Sequence, residues 1–172
     1  MADLYDVSEV AASGATGFSS CTTAFRFGTG SIAWARSVPQ TLTRGAEQIG
    51  RSGIDHISVI INRTRTVGDC DGRNLDAAAG TVQFRDLSRP STSRSEGIDV
   101  IKLLVPRTSL PSWLAGRGLH GLVLPAASAG ERLVSSHLRT LCDVAADLSE
   151  DEGVAAMEAT FVIAERFLGK AG

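Results

Sequence analysis

The hydrophobic pattern of the 172-residue chain changes once, near residue 108, and that change constrains the fold more than any other feature. From about residue 20 to residue 107 the apolar runs are short, rich in β-branched and aromatic residues, and separated by turn-forming residues. This pattern is typical of a compact all-β region. Because the runs lie too close together for crossover helices, we predict an antiparallel meander or barrel and exclude a parallel sheet.

Seven segments before residue 108 are predicted to be strands. The dipeptides Asp71-Gly72 and Ala79-Gly80 supply turns between three of them. The serine-rich segment Ser88–Ser95 is predicted to be a mobile loop. The predicted strands are Thr23–Phe27, Ser31–Arg36, His56–Asn62, Arg65–Val67, Leu75–Ala77, Thr81–Leu87 and Ile98–Val105.

After Pro106 the apolar residues take on helical spacing. Thr108 can cap a short turn that runs through Trp113 and Leu114. The chain from 128 to 168 then has apolar residues at intervals of three and four, which predicts two amphipathic helices, the second ending at Gly169.

Each of these two helices begins with the spacing of a capping box, Ser128 with Glu131 and Ser149 with Glu152. We therefore predict one domain spanning 1–172. It consists of a β-barrel at about 20–107, a connecting segment at 108–127 and a helical hairpin at 128–168.

The distribution of charge argues against direct DNA binding by this chain. Its net charge is −2, and residues 131–172 hold four basic and eight acidic groups. A recognition helix with an acidic surface would repel phosphates, so the two C-terminal helices are not predicted to form a helix-turn-helix.

The N-terminal sequence and the cysteines favour a cytoplasmic location. The first twenty residues contain no basic residue, and no apolar run approaches the roughly 18 residues of a membrane span. The three cysteines are widely spaced and form no C-x-x-C motif, which fits a reducing compartment. We therefore expect neither secretion nor membrane insertion.

Three motifs that could indicate catalysis or cofactor binding have simpler interpretations. Gly28–Ala33 matches a dinucleotide fingerprint, but the residues after it alternate like a strand, so a hairpin turn is expected. Ser128 lies in a segment that resembles a nucleophile elbow, yet His137 is two turns further along the same helix and cannot reach it. The three histidines are at least 17 residues apart and offer no metal-ligand spacing. We predict no catalytic residue, no metal site and no cofactor.

The order of segments resembles the ligand-binding-like domain of AraC-type transcriptional regulators over residues 40–168. In that family a strand that runs into Pro-Arg precedes a short helix, an apolar-Gly segment and two closing helices. The matching residues are Val100–Arg107, Leu110, Leu119-His120-Gly121, Gly130-Glu131-Arg132-Leu133, Leu138 and Leu141, and, upstream, Leu75, Ala79-Gly80-Thr81-Val82 and Phe84-Arg85-Asp86.

The resemblance implies a mainly β, cupin-like barrel or jelly roll followed by a two-helix hairpin. It also implies a bacterial, non-enzymatic domain that senses a small-molecule effector and forms a homodimer. Contact with DNA is expected only through a C-terminal helix-turn-helix domain, because this chain stops at Gly172, where the linker to that domain would begin. The alternatives are a stand-alone cupin-like module that binds a small molecule or a partner, and a cupin enzyme. The sequence identifies no effector or target operator.

An effector inside such a barrel would contact inward-facing side chains, which we predict by alternation along the strands. The candidates are Trp34, Arg36, His56, Ser58 and Phe84. Core packing is the alternative for Trp34 and Phe84, and a satisfied polar group at the rim is the alternative for His56. An inward Arg36 would require an anionic partner, either a carboxylate ligand or an internal aspartate.

The dimer interface is predicted on the first C-terminal helix. Its candidate residues are Leu133, His137, Leu141 and Leu148. Residues Met157, Phe161 and Leu168 on the second helix fit either an interface or the intrachain core.

Overall fold

The computed structural model describes residues 4–9, 20–115 and 117–168. These residues form ten strands in two five-stranded antiparallel sheets, followed by two long helices. The first sheet, called sheet 1, has the order β1 (Asp6–Glu9), β4 (Gln40–Arg44), β9 (Ser91–Ser95), β6 (Thr66–Cys70) and β7 (Arg73–Ala77). The second, called sheet 2, has the order β2 (Ser20–Phe27), β3 (Gly30–Ser37), β10 (Ile98–Pro106), β5 (His56–Asn62) and β8 (Val82–Asp86).

Four helical segments complete the described structure. Two are short: α1 (Ala46–Ser52) follows β4, and α2 (Ser112–Ala115) follows a 3-10 turn at Arg107–Ser109. The two long helices are α3 (Ala129–Val144) and α4 (Glu150–Leu168). The predicted mainly β fold with a C-terminal helical hairpin is therefore confirmed. None of the described helices is long and apolar enough to cross a membrane.

The hydrophobic core lies between sheet 2 and the C-terminal helices. Alternate residues of β3, β5, β8 and β10 face α3 and α4 and are almost fully buried. Burying such a side chain stabilises the fold by about 1.5–3 kcal/mol, so this layer fixes the helices on the sheet. Its members include Ile32, Ile57, Val59, Ile61, Val82, Phe84, Leu103 and Val105 from the strands, and Val134, Leu138, Leu141, Met157 and Phe161 from the helices.

The segment from residue 118 to residue 124 closes the barrel between β7 and β8. The N–H of Leu124 donates to the carbonyl of Val82, and the N–H of Phe84 donates to the carbonyl of Leu122. On the other side, the Arg73 guanidinium donates to the carbonyls of Gly118 and His120 at 3.0 Å each. The edge strand β8 is thereby paired and the neighbouring edge strand β7 is contacted, which leaves less of these two edges open to pairing with other chains.

The predicted capping box forms fully at the start of α4 and in part at the start of α3. At α4 the Ser149 N–H donates to Glu152 Oε2 at 2.8 Å and the Glu152 N–H donates to Ser149 Oγ at 3.4 Å, which completes the capping box. At α3 the Glu131 N–H donates to Ser128 Oγ, but the Ser128 N–H donates to the carbonyl of Pro125. Only half of that predicted box therefore forms. Gly169, the predicted end of α4, lies outside the described residues.

Two predictions about the β region need correction. Ser88–Ser95 is not a loop throughout, because Ser91–Ser95 forms β9 in the middle of sheet 1. The strands β1 and β4 and the helix α1 were not predicted, and β1 precedes the expected start of the barrel. The predicted hairpin is confirmed, since Gly28 and Thr29 form the turn between β2 and β3.

Candidate functional site: a polar cavity between the sheets

A cavity of about 190 Å³ lies between the two sheets. Side chains from eight of the strands and from Tyr5 surround it, so its walls are built on rigid elements. This volume is below the roughly 300 Å³ at which pockets for drug-sized ligands usually begin, so the cavity suits a smaller molecule. The lining residues are Tyr5, Val7, Ser20, Thr22, Gln40, Leu42, Ile60, Asn62, Thr66, Gln83, Arg85, Ser91, Ser93, Ser95, Ile98, Val100 and Lys102.

The strand β9 supplies the serine wall of the cavity. Its alternation places Ser91, Ser93 and Ser95 on the cavity side, whereas Thr92 and Arg94 are exposed on the outer face. Two-residue periodicity thus separates three hydroxyl groups from their charged and polar neighbours. In the sequence, the lack of apolar residues in this segment concealed the strand.

Sheet 2 supplies the opposite wall with its more polar face. The residues Gln83 and Ile60 face each other across β8 and β5, and Ile60 faces Lys102 across β5 and β10. All three line the cavity, together with Asn62 and Arg85 on the same face. Because the helices cover the other face of this sheet, its apolar side is the outer one.

A buried hydrogen-bond cluster joins the two sheets at one end of the cavity. Asn62 Nδ2 donates to Thr66 Oγ1 at 3.1 Å and to Ser95 Oγ at 3.2 Å, and the two hydroxyl oxygens lie 3.0 Å apart. Asn62 Oδ1 accepts the N–H of Asp99 at 3.2 Å. Because each of these groups is buried and satisfied, the cluster fixes the spacing of the walls.

Two basic side chains line the cavity, Arg85 and Lys102, with exposures of 4% and 9%. Arg85 Nη2 donates to Gln83 Oε1 at 2.5 Å and Nη1 donates to the carbonyl of Phe84 at 3.1 Å. The Lys102 ammonium lies 5.0 Å from the ring centre of Tyr5. Burial lowers the pKa of Arg85 from its usual value. Neither cation forms an ion pair with a carboxylate of the described residues.

The side chains of Trp34, Arg36 and Phe84, predicted to bind ligand, do not line the cavity. Trp34 and Arg36 lie on the outer face of sheet 2, where Trp34 Nε1 donates to Asp99 Oδ1 at 3.0 Å. Arg36 is 58% exposed, stacks on Trp34 and pairs with Asp99 at 3.3 Å, so its expected inward orientation is wrong. Phe84 packs in the core under α3.

His56 and Ser58 lie on the same face of β5 as Ile60 and Asn62, but beyond the end of the cavity. His56 lines a separate surface groove near Leu104. His56 Nδ1 and Ser58 Oγ are buried without a hydrogen-bond partner among the described residues. The five predicted residues are therefore not brought together in one site, and their role as ligand contacts stays a prediction.

His120 fixes the closing segment and the entry to β9. Its Nδ1 accepts the N–H of Asp86 at 3.0 Å and its Nε2 donates to the carbonyl of Pro90 at 2.9 Å, which defines the neutral tautomer. Burial lowers the pKa of this imidazole, which is 3% exposed, and the nearby Arg89 and Arg85 act in the same direction. A neutral imidazole thus connects the closing segment to the end of β8 and to the residue before β9.

A metal site is not indicated by the described residues. Within residues 4–9, 20–115 and 117–168, no three His, Cys, Asp or Glu side chains lie close enough together to hold a metal ion. The polar groups of the cavity are instead hydroxyls, amides and the two cations, which suit an organic ligand.

The four predicted dimer residues occupy different environments on the helical hairpin. Leu133 is 54% exposed, whereas Leu141 is 3% exposed and belongs to the core. His137 Nε2 bonds to the carbonyl of Ala156 at 2.8 Å and so connects α3 to α4. Leu148 is half-buried against the core, and it lies in the connection between α3 and α4 rather than on the first helix as predicted, because α3 ends at Val144.

The fold is similar to that of a solved transcriptional regulator. The AraC-like transcriptional activator CuxR matches over 98% of this chain with a TM-score of 0.85 and 22% sequence identity. The chain spans 63% of that protein's length. An RmlC-like cupin protein from Desulfovibrio desulfuricans matches over 58% of this chain and 95% of its own, with 14% identity and a TM-score of 0.38. No family model and no curated protein matches the sequence.

Proposed function

We propose that this chain is the effector-sensing domain of a transcriptional regulator whose DNA contacts are made by a separate domain. The observation that carries the proposal is the cavity between the sheets, with polar walls from both. The similarity of the fold to that of an AraC-like activator supports the same function. No reaction is proposed, because the cavity contains no paired acid and base among the described residues.

Sensing requires that the effector bind one state of the domain better than another. The cavity is suited to this because its walls come from both sheets, and the Asn62 cluster sets their separation. A ligand that changes this separation would also displace sheet 2, against which α3 and α4 pack. The helices would thereby transmit occupancy of the cavity to a neighbouring domain.

A thermal-shift screen of small carboxylates, sugars and aromatics tests effector binding. A compound at a hundred times its Kd should stabilise the chain by about 2.7 kcal/mol. Ser93→Phe fills the cavity and should abolish the shift, whereas Thr92→Phe changes the exposed face of the same strand and should leave it intact. A shift of equal size in both variants would place the binding site elsewhere and contradict the proposal.

We also propose that the domain forms a homodimer through the exposed faces of its C-terminal helices. The exposed apolar residues there are Leu133 and Val144 on α3 and Val162 on α4, with exposures of 54%, 38% and 62%. Leu133 and Val144 are three turns apart on one side of α3. A self-association surface would remove these side chains from water. Leu141 cannot report on it, because it belongs to the monomer's own core.

The stand-alone binding module remains the second candidate function. The sequence of the full reading frame distinguishes the two candidates. A reading frame that continues into two helix-turn-helix units supports the regulator, and one without them supports the separate module. The cavity and its ligand test are common to both candidates.

A further inference from the structure

The charge balance of the cavity indicates the chemical class of its ligand. Among the residues that the structure describes, seventeen line the cavity, and of these two are basic and none is acidic. Both cations are more than nine-tenths buried. A buried charge without a counter-ion is costly, by several kcal/mol per ion, unless hydrogen bonds or an opposite charge compensate for it.

A comparison with Arg44 shows that the cavity cations are incompletely compensated. Arg44 is 1% exposed and donates from Nε, Nη1 and Nη2 to the carbonyl of Leu87, the carbonyl of Leu4 and Ser52 Oγ, at 2.7–2.8 Å. Each of its nitrogens therefore has an acceptor. This arginine lies outside the cavity lining and holds β4 against its neighbours.

Arg85 and Lys102 make fewer hydrogen bonds. Arg85 uses two nitrogens, and its Nε has no acceptor among the described residues. The Lys102 ammonium has three hydrogens and, within the same part of the chain, neither a hydrogen-bond acceptor nor a carboxylate. The contact with Tyr5 compensates for its charge only in part, because a cation–π contact is weaker than an ion pair with hydrogen bonds.

The two cations lie on one face of sheet 2. Lys102 is opposite Ile60, and Arg85 is opposite Ser58, two residues along β5. The strands β10 and β8 are thus two strand spacings apart, about 10 Å across the sheet. The apolar side chain of Ile60 lies between the two positions. This arrangement fits a short molecule with an apolar middle and an anionic group at one or both ends.

We propose that the effector is a small organic anion, a carboxylate or a phosphate monoester, held by Arg85 and Lys102. The guanidinium can donate two parallel hydrogen bonds to the oxygens of either group, and the ammonium adds a point charge. The serine hydroxyls of β9 face this pair across the cavity and can donate to the same ligand. The inference rests on the proposed function, since it assigns a ligand class to the same cavity.

The experiment compares acids with their neutral amides. Benzoate and benzamide, butyrate and butyramide, and phenyl phosphate are added to the chain at constant ionic strength, and Tm and Kd are measured. An anion present at a hundred times its Kd should raise Tm by about 5–10 °C, and its amide should have little effect. The carboxylate and phosphate arms distinguish the two sources of negative charge.

Three charge variants assign the effect to the cavity. Lys102→Met and Arg85→Gln each remove one lining cation and should weaken anion binding at least tenfold, whereas Arg94→Gln removes an exposed charge from β9 and should not. Lys102→Met should also raise the Tm of the ligand-free chain, because it removes a buried charge that lacks a counter-ion. This second readout requires no ligand, and a lower Tm for Lys102→Met would overturn the proposal.

A carboxylate of the chain itself is the competing source of negative charge. Glu9, in β1, pairs through its backbone with Gln40. Glu9→Gln should leave the preference for anions unchanged. Stabilisation by anions that emerges only in this variant would overturn the proposal, because the chain would then supply its own counter-ion.

The remaining outcomes separate the ligand class from the function. Stabilisation by amides or sugars that is lost in Ser93→Phe and unaffected in Lys102→Met overturns the anionic class and leaves effector sensing supported. Absence of any shift that depends on Ser93 contradicts both.

Discussion

Protonation of His120 should destabilise the fold between pH 7 and pH 5.5. Its Nδ1 accepts the N–H of Asp86 at 3.0 Å, so a proton on this nitrogen would place two donors against each other. Burial, the largest cause, lowers the pKa of the imidazole in the folded chain. Below the unfolded pKa of about 6.5 the unfolded chain therefore binds more protons than the folded one. The free energy of unfolding consequently decreases as the pH is lowered.

The size of the effect has an upper limit. If the folded imidazole stays neutral, the proton taken up by the unfolded chain costs about 1.3 kcal/mol between pH 7 and pH 5.5. No allowance for solvent screening is needed, since His120 is 3% exposed. For a chain of this size the loss corresponds to a decrease in Tm of about 3–5 °C.

Urea denaturation at a series of pH values measures this loss. His120→Gln should remove most of the slope between pH 7 and pH 5.5, and His137→Gln is the matched control for the loss of an imidazole. Titration of Asp86 does not affect this pH range. Burial raises the pKa of Asp86, but hydrogen bonds from Ser88 and Arg107 lower it more. Its contribution to the free energy of unfolding is therefore lost only below about pH 4. An unchanged slope in His120→Gln would refute the reasoning.

Two further predictions concern packing and self-association. Gly153→Ala would place a Cβ 2.1 Å from the buried ring of Phe27 and should cost about 1–3 kcal/mol in a denaturation experiment. Gly50→Ala in α1 meets nothing within 4 Å and should stabilise the chain by about 0.5–1 kcal/mol, so equal effects would contradict the packing argument. In analytical ultracentrifugation the chain should be a dimer at tens of micromolar, and Leu133→Glu should dissociate it. Val67→Glu, at an exposed position on β6, is the control; a monomeric wild type would contradict the dimer proposal.

The sequence predicts those parts of the fold in which pattern and environment agree. The helices α3 and α4 have capping serines and regular apolar stripes, and both were predicted within a few residues. The strands of sheet 2 are apolar on one face, because that face packs against these helices. By contrast, β9 has no apolar residue, since one of its faces is exposed to solvent and the other lines a polar cavity. A strand of this kind cannot be told from a loop by hydrophobicity.

The site was harder to predict because the apolar side chains of sheet 2 do not point into the barrel, as apolar side chains usually do. Alternation along the strands predicts Trp34 and Phe84 as inward-facing, yet the helices make the outer face of this sheet the apolar one. His56 and Ser58 lie on the cavity face of β5 but at the wrong end of it. The better signal was polar alternation: Gln83 and Arg85 are separated by one residue, as are Ser91, Ser93 and Ser95.

The main apolar core lies outside the barrel, so selection for stable folding and selection for ligand preference act on different residues. Most of the burial energy comes from the layer between sheet 2 and the helices, and the residues around the cavity contribute comparatively little of it. Substitutions among the serines, threonines and amides of the cavity can therefore change ligand preference at small cost to folding. Because few natural domains have stability to spare, a scaffold arranged in this way can diverge in what it recognises while its shape persists.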